Sequence, residues 1–322
     1  MSEHLPRLTI ITPVFNEQDS LDRYVEEVEQ TLINARHIEC HVLFVDDGSH
    51  DKSWEKIEGI SRRNPRFTGL RLSRNFGSHA AITAGIDHAD ARTDAIAILA
   101  CDLQDPPSTV LAFIDCWLKG AEIVWGTRRS RPESFIRRQF ALFFNILLRR
   151  YAAPPRSKFA TGSFLLLDKK VAEAFKQFKE HHRTTFALVA WTGFEQDIVL
   201  YDRQPRRAGQ SGWTVAGMTR AVYDTMIGYS VLPARLMTWI GVATGLFGIG
   251  FMIWLILQYY MMDVVTGWTG IMVTMAFFFS LLFLMLGLMA QILYRIFVEA
   301  TGRPIYFVAR RTDAKNNISN VL

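Results

Sequence analysis

The chain has 322 residues, a formal net charge of +5 and 49% hydrophobic residues, enough for one large domain and a further segment. So modest a positive charge gives no signature of nucleic-acid binding, and we expect no nucleic acid partner. The three cysteines have no paired spacing, which favours core packing over a disulfide framework or a zinc site. Residues 1–6 are polar, so we expect no secretory signal peptide.

Short apolar runs alternate with segments of helical spacing through the first part of the chain. They predict strands over residues 8–14, 42–45, 68–72, 96–101 and 122–126, and later over 163–167 and 198–201. The intervening segments predict helices over residues 20–33, 79–89 and 108–118, and a further helix that Ser49 or Asp51 caps and that ends at about residue 63. This alternation predicts a parallel sheet with right-handed crossovers and a nucleotide crevice at the carboxyl ends of its strands.

Oxygen-bearing side chains follow the fourth predicted strand at Asp102, Gln104 and Asp105. Two carboxylates and an amide oxygen are hard ligands that suit Mg²⁺ or Mn²⁺ held against phosphate groups. The alternative is that the aspartates only cap the helix that begins at the following prolines. This segment alone favours neither interpretation.

Two long uncharged runs, residues 236–262 and 264–294, follow the last predicted strands. Each exceeds the roughly 20 residues that cross a bilayer, so they predict a transmembrane hairpin rather than buried helices of a soluble domain. The connection between them carries no lysine or arginine, whereas both flanks carry several arginines. The positive-inside rule therefore predicts a multi-pass protein of the inner (cytoplasmic) membrane with both termini in the cytoplasm.

A basic segment rich in aromatic residues, 134–151, precedes these runs. Its composition suits a helix at a membrane surface, and it equally suits an amphipathic helix packed on the sheet.

Four motifs occur in order along the chain: Pro13-Val14-Phe15-Asn16-Glu17, Val45-Asp46-Asp47-Gly48-Ser49, Arg74-Asn75-Phe76-Gly77 and Asp102-Leu103-Gln104-Asp105-Pro106. Together with the hairpin they resemble the family 2 glycosyltransferases. Within these, the chain resembles the polyprenyl-phosphate glycosyltransferases, which include dolichol-phosphate mannose synthase and bacterial enzymes that load sugars onto undecaprenyl phosphate.

The resemblance implies an α/β fold, with a GT-A (Rossmann-like) nucleotide-sugar domain and a C-terminal two-helix transmembrane hairpin. It divides the chain into a cytoplasmic glycosyltransferase domain (1–213), a juxtamembrane amphipathic helix (214–235), the hairpin (236–298) and a cytoplasmic tail (299–322). It also implies self-association, as a tetramer in some relatives.

Site residues are assigned by the same resemblance. The nucleotide is expected to contact Pro13, Phe15, Glu17, Asp46, Asp47, Arg74 and Asp102. Within this set Asp46 would face the base and Asp47 the ribose. Asp102 and Gln104 are expected to hold the Mg²⁺ or Mn²⁺ that bridges the diphosphate.

The lipid phosphate is expected to meet Arg128, Arg206 and Ser211, with Arg137 and Arg138 as weaker candidates. The catalytic set implied is Asp102, Arg128 and Ser163. For each arginine the alternative is a solvated surface charge.

Three positions depart from the pattern of the relatives. Ala100 stands where many relatives have an aspartate two positions before Asp102, so the metal would rely on Asp102, Gln104, diphosphate and water. Ser163 stands where bacterial relatives often have an aspartate considered for a base or acceptor-positioning role. Gly212 replaces a common lysine after Ser211.

The resemblance implies inverting transfer of a sugar from a nucleotide diphosphate sugar, with UDP-glucose the first choice, to polyprenyl (undecaprenyl) phosphate for cell-envelope glycosylation. The partners implied are the nucleotide sugar, the polyprenyl phosphate and the lipid bilayer. A catalytically impaired membrane scaffold that keeps the nucleotide-binding fold is the alternative, motivated by Ala100 and Ser163. A processive synthase is disfavoured because the Gln-x-x-Arg-Trp motif is absent.

Overall fold

The computed structural model describes residues 5–35, 38–129, 164–181, 184–204, 232–261 and 267–312. The chain divides into two compact units, one made of Met1–Trp213 with Pro304–Leu322 and one made of Thr214–Arg303. The first unit contains a sheet flanked by helices, and the second contains two long helices.

The first unit is built on an eight-stranded sheet with the spatial order β7-β5-β6-β4-β1-β2-β3-β8. In chain order the strands are β1 (Arg7–Val14), β2 (Glu39–Asp46), β3 (Phe67–Leu72), β4 (Ala95–Ile98), β5 (Ile123–Arg128), β6 (Leu165–Asp168), β7 (Gln196–Tyr201) and β8 (Val308–Arg311). The helices of this unit are α1 (Leu21–Val28), α2 (Ser53–Arg63), α3 (Ser78–His88), α4 (Ser108–Leu118), α5 (Lys169–Lys176) and α6 (Thr185–Trp191).

The sheet is mixed, so the prediction of a parallel sheet is wrong at β6, and β8, a second antiparallel strand, was not predicted. Strands β4, β1, β2 and β3 are parallel neighbours, and β5 is parallel to β7. Strand β6 runs antiparallel between β4 and β5, and β8 runs antiparallel to β3 at the edge. Strand direction depends on which neighbour a strand joins, and apolar runs alone do not encode it.

The central strands are apolar on both faces because helices cover both sides of the sheet. In β1, Leu8, Ile10 and Ile11 are all fully buried. Helix α3 lies so close to β1 that a Cβ at Gly85 would come 2.4 Å from the Ile11 side chain. These contacts fix the strands whose ends carry the predicted site residues.

The helices confirm most of the predicted positions, with shifted boundaries. Helix α4 begins and ends where predicted, whereas α1 ends at Val28 and continues as a π-helical turn, Glu29–Ile33. Helix α2 begins at Ser53 and Lys52 occupies its N-cap position, but the predicted cap Asp51 accepts a hydrogen bond from the Ser53 backbone N–H through its carboxylate. Helices α5 and α6 were not predicted, and the basic segment 134–151 lies outside the described residues.

The second unit contains helices α7 (Leu232–Met261) and α8 (Trp268–Ala300), and the rings of Phe247 and Phe278 meet with centroids 6.4 Å apart. Within the part of the chain that the structure describes, one stretch, Phe277–Ala300, is long and apolar enough to span a membrane, with a mean hydropathy of 2.1. Helix α7 contributes a shorter apolar stretch, Met237–Gly248. The two-span hairpin therefore stays a prediction.

Candidate functional site

The carboxyl ends of β1, β2, β3 and β4 lie at one edge of the sheet because these strands are parallel. Strand β5 ends at the same edge, since it and β4 are both antiparallel to β6. The loops after these strands therefore bring the predicted residues of the four motifs and Arg128 to one side of the sheet. Ligands of open α/β sheets bind at such an edge.

The loops after β1 and β2 are held together by reciprocal hydrogen bonds between side chains and backbone. The Asn16 backbone N–H donates to Ser49 Oγ at 2.9 Å, and the His50 N–H donates to Asn16 Oδ1 at 2.9 Å. Further bonds of this kind link the two loops: Glu17 N–H to Ser53 Oγ, Gln18 N–H to Asp51 Oδ2 and Lys52 N–H to Gln18 Oε1. Asn16 adopts a left-handed φ of 53° to make this junction.

Within the first motif, Pro13 and Glu17 are half-buried and Phe15 is exposed. The Phe15 ring meets His50 edge-on with centroids 6.4 Å apart. An exposed aromatic ring beside the carboxyl edge offers an apolar face to a ligand.

Asp46 ends β2 and is fully buried. Its Oδ1 accepts the Ser49 backbone N–H at 3.1 Å, and Arg71 Nε lies 3.2 Å from its Oδ2. The arginine contact is an ion pair without hydrogen-bond geometry, since Oδ2 has no hydrogen-bond donor. Burial raises the pKa of Asp46, opposed by the bonds from Ser49 and the charge of Arg71. A ligand can reach this carboxylate only if its cover, including Arg71, shifts.

Asp47 shapes the loop after β3. Its Oδ1 accepts the Phe76 backbone N–H at 2.7 Å and its Oδ2 accepts that of Gly77 at 2.8 Å. Burial raises the pKa of Asp47, and these two bonds oppose the shift. Next to it, Gly48 has a φ of 71°, and a Cβ there would come 2.5 Å from the carbonyl carbon of Arg74. The loops after β2 and β3 thus touch backbone to backbone.

Arg74 lies on the loop after β3, with its guanidinium carbon 4.1 Å from the centre of the Phe76 ring. This cation–π contact holds the exposed side chain at the edge where a nucleotide is expected.

The loop after β4 presents Asp102 and Gln104 to one side and Leu103 to the core. Asp102 and Gln104 are half-buried, and the Asp102 Oδ1 accepts the Gln104 backbone N–H at 3.1 Å. Leu103 is buried at a left-handed φ of 52°, a conformation that is costly for a leucine. The Gln204 backbone N–H donates to the Gln104 carbonyl at 2.9 Å, which ties this loop to the segment after β7.

Asp105 is buried and is the centre of a cluster that joins the β4 loop to the ends of β5 and β7. The Tyr201 hydroxyl donates to Asp105 Oδ1, Arg128 Nε lies 3.4 Å from the Tyr201 oxygen, and Arg203 Nε lies 3.6 Å from Asp105 Oδ1. We name Asp105, Arg128, Tyr201 and Arg203 the Asp105 cluster. It places two guanidinium groups beside the loop that carries Asp102.

The charges in the Asp105 cluster shift one another's ionisation. Burial raises the pKa of Asp105, and the Tyr201 hydrogen bond and the charges of Arg203 and Arg128 oppose that shift. Burial and the Asp105 carboxylate raise the pKa of Tyr201 to about 12, so its hydroxyl stays protonated and can donate. Burial and the neighbouring Arg128 lower the pKa of Arg203. An additional anion would relieve the repulsion between these two arginines.

Metal donors at this edge are restricted to a few oxygens. Among the described residues, no group of three or more histidine, cysteine, aspartate or glutamate side chains is placed to hold a metal. Asp102 and Gln104 supply a carboxylate and an amide oxygen, while Asp105 is held by Tyr201 and Arg203. This donor set fits Mg²⁺ or Mn²⁺ when a diphosphate and water complete the coordination.

Five of the predicted site residues, namely Arg137, Arg138, Ser163, Arg206 and Ser211, lie outside the described residues. Conversely, Tyr201 and Arg203 were not singled out from the sequence. The signal that identifies Arg203 is its place just after a predicted strand, the same place that Arg128 has after the strand predicted over residues 122–126.

Comparison with known proteins gives a consistent assignment. The model of "Glycosyl transferase family 2" matches residues 9–175. The uncharacterized glycosyltransferase YkcC of Bacillus subtilis is 34% identical over 324 residues, covering 98% of this chain and 97% of YkcC. A prophage bactoprenol glucosyl transferase homolog of Escherichia coli is 27% identical over 306 residues, covering 94% of this chain and 99% of its own.

Among solved structures, the mannosyltransferase PcManGT of Pyrobaculum calidifontis, in complex with GDP-Man and Mn²⁺, aligns with a TM-score of 0.44 and 14% identity, covering 79% of this chain and 81% of its own. The match to the family model spans the strands that carry the four motifs and most of their helices. The chain therefore belongs to glycosyl transferase family 2.

Proposed function

We propose that this protein transfers a sugar from a nucleotide diphosphate sugar, with UDP-glucose the first candidate, to the phosphate of a polyprenyl carrier such as undecaprenyl phosphate. The observation that carries the proposal is the Asp105 cluster, because it gathers Arg128 and Arg203 beside the oxygen donors of Asp102 and Gln104. The donor diphosphate and the acceptor phosphate are both negatively charged, so positive charge is needed where they meet. Relatives named bactoprenol glucosyl transferases support the same choice of acceptor.

The reaction needs compensation of charge more than activation of a nucleophile. A phosphate monoester has its second pKa near ~6, so the acceptor oxygen is already ionised at pH 7. That oxygen forms a bond to the anomeric carbon while the bond from this carbon to the diphosphate oxygen breaks, and the electron pair leaves with the nucleoside diphosphate. Displacement in one step inverts the anomeric centre.

The residues of the site would divide this task between them. Arg128 and Arg203 would stabilise the phosphate charges, aimed where charge develops in the transition state. Asp102 and Gln104 would hold Mg²⁺ or Mn²⁺, which would neutralise charge on the departing diphosphate. Arg206 and Ser211, with Arg137 and Arg138, remain proposed contacts of the lipid phosphate. Because the acceptor is ionised, Ser163 can stand where relatives have an aspartate.

The acceptor's prenyl chain stays in the bilayer, so the enzyme must work at a membrane. The apolar helix Phe277–Ala300 supports a membrane anchor. We propose that residues 236–298 form a two-span hairpin in the inner membrane, with both termini cytoplasmic and the basic segment 134–151 at the headgroups. Each arginine or lysine near an anionic surface contributes roughly 1 kcal/mol to such binding. Self-association through the spans is part of the same proposal.

A purified-component assay tests the proposed transfer. The full chain in detergent would be incubated with polyprenyl phosphate, Mg²⁺ and a panel of radiolabelled nucleotide sugars, and the label followed into the lipid phase. We expect transfer from one donor, abolished by Asp102→Ala and retained by Ser163→Ala and Ser163→Asp. Loss of activity in Ser163→Ala would contradict a reaction that needs no base at this position.

The second candidate is a catalytically impaired scaffold that keeps a nucleotide-binding fold, favoured by Ala100 in place of an aspartate at the metal loop. It predicts nucleotide binding without transfer from any donor in the panel. The same assay, combined with a binding measurement, separates the two candidates.

A further inference from the structure

A pocket of about 450 Å³ opens at the carboxyl ends of β2 and β3, beside the site described above. Two of its walls are the loops after these strands, with His50, Arg71 and Arg74 among the lining residues. The third wall is strand β8, through Ala309 and Arg310. Strand β8 comes from the C-terminal end of the chain, beyond helix α8, and none of the four sequence motifs includes it.

The segment that carries β8 is fixed to the first unit at several points. Arg310 pairs with Arg71 in the antiparallel ladder. The Ser73 N–H donates to the Phe307 carbonyl at 2.9 Å, and the Tyr306 hydroxyl donates to Asp87 Oδ2 at 2.9 Å. Beyond the strand, the Gly69 N–H donates to Thr312 Oγ1 at 2.7 Å, and the Thr312 N–H donates to the Gly69 carbonyl at 3.0 Å. The third wall is therefore a built part of the pocket rather than a loose tail.

The side chains that line the pocket include several basic groups, all of which are planar. They include three guanidinium groups and an imidazole, and no carboxylate is among the lining residues. Arg71 is engaged with Asp46 and the Ser49 carbonyl, and Arg74 lies over Phe76. Arg310 is exposed, and its side chain makes no hydrogen bond or ion pair with the residues that the structure describes. It is thus a cation available to a ligand in this pocket.

A guanidinium plane stacks on aromatic faces and donates hydrogen bonds in its own plane, both of which suit a nucleobase with ring carbonyls. The volume lies within the range of small-molecule sites. The pocket lies at the ends of β2, β3 and β8, which are two, three and four strands away from β4, so its middle is roughly 14 Å from β4, the strand that leads to Asp102, at about 4.8 Å per strand. A nucleoside diphosphate can bridge such a distance with its base at one end and its diphosphate at the other.

We propose that β8 completes the donor site and that Arg310 contacts the base of the nucleotide sugar. This inference rests on the proposed function for the identity of the donor. It makes Arg310 a specificity residue for the nucleotide, supplied by a segment that follows the membrane-associated unit. The diphosphate and the sugar then point along the edge toward Asp102 and Arg128.

Binding to the full chain in detergent tests this inference with UDP, GDP and inorganic pyrophosphate as probes in the presence of Mg²⁺. We expect Arg310→Ala to weaken binding of the preferred nucleotide about tenfold and to leave pyrophosphate binding unchanged. In turnover, the same variant should raise KM for the donor and leave kcat at saturating donor unchanged. Arg311→Ala, one residue along β8 and outside the pocket lining, is the matched control and should bind like the wild type.

Several results would overturn the inference. Unchanged nucleotide affinity in Arg310→Ala would remove Arg310 from the donor site, and an equal loss for pyrophosphate would assign the pocket to phosphate rather than to the base. Failure of the wild type to bind either nucleotide would refute both proposals. Nucleotide binding that depends on Arg310 without transfer to polyprenyl phosphate would refute only the proposed function. Transfer that is insensitive to Arg310→Ala would refute only the inference.

Discussion

Removal of the Tyr201 hydroxyl perturbs the Asp105 cluster with the least change in volume. In Tyr201→Phe the buried Asp105 carboxylate loses its hydrogen-bond donor and keeps Arg203, whose Nε is 3.6 Å away and too distant for a hydrogen bond. A hydrogen bond to a charged group contributes about 1.5–3 kcal/mol. We therefore expect the variant to lose about 2 kcal/mol of stability at pH 7.5, which corresponds to a fall of about 4 to 8 °C in Tm.

The loss should depend on pH. Burial raises the pKa of Asp105 in the folded state, and the Tyr201 bond opposes that shift, so the variant should have a still higher pKa. A carboxyl group whose pKa is raised by folding favours the fold when protonated, and this contribution is lost as the pH rises through the folded-state pKa. The destabilisation by Tyr201→Phe should therefore be large at pH 7.5 and smaller at pH 5.

Thermal unfolding of the detergent-purified chain, followed by intrinsic fluorescence at both pH values, measures the effect. Tyr24→Phe is the matched control, because the Tyr24 hydroxyl is equally buried but bonds to the neutral Thr12 hydroxyl. It should cost about 1 kcal/mol at either pH. A Tyr201→Phe variant that unfolds within about 1 °C of the wild type at pH 7.5, or equally early at both pH values, would refute the role assigned to Asp105.

Four further substitutions, one of them a control, have defined outcomes. Gly48→Ala forces a methyl group to 2.5 Å from the Arg74 carbonyl carbon at a φ of 71°, so it should lower the free energy of unfolding by at least about 2 kcal/mol. Gly59→Ala is the control, because α2 has open space at that position, and it should raise the free energy of unfolding by up to about 1 kcal/mol. Equal Tm values for the two variants would contradict this prediction. Burial lowers the pKa of His79 to about 4. The free energy of unfolding of the wild type should therefore fall by up to about 1.4 kcal/mol per pH unit as the pH falls from ~6.5 toward that value. His79→Gln should flatten the profile of Tm against pH. Asp102→Asn should reduce sugar transfer at least about 100-fold with Mg²⁺ present, and retention of activity would remove this carboxylate from the metal site.

The sequence was informative where a physical signal was local. Strands β1 to β5 were predicted because each is a short apolar run between turn residues, and such runs are typical of strands covered on both faces. The motifs were predicted to lie at the carboxyl edge of the sheet for the same reason, since a polar segment after a buried parallel strand has to emerge at the carboxyl end of that strand. Helix α4 was predicted to the residue because two prolines precede Ser108 and fix its start.

The features that were missed depend on long-range pairing. Strand β8 has the sequence Val-Ala-Arg-Arg, which is too short and polar for a strand signal, and its partner β3 lies more than 200 residues earlier. Tyr201 ends a predicted strand, and nothing local indicates that its hydroxyl reaches Asp105, 96 residues away in sequence. The direction of β6 was wrong because an antiparallel insertion leaves no trace in a four-residue apolar run.

The interlocked loops after β1 and β2 have a consequence for engineering donor preference. Asn16, Gln18, Ser49, Asp51 and Ser53 each supply a side chain to the opposite loop or to its own, so neither loop keeps its shape alone. A chimera that takes only one of these loops from a homologue will leave backbone N–H donors of the other loop without their acceptors. Transplanting the pair as a single cassette keeps every cross-loop partner and is the smaller change in energetic terms.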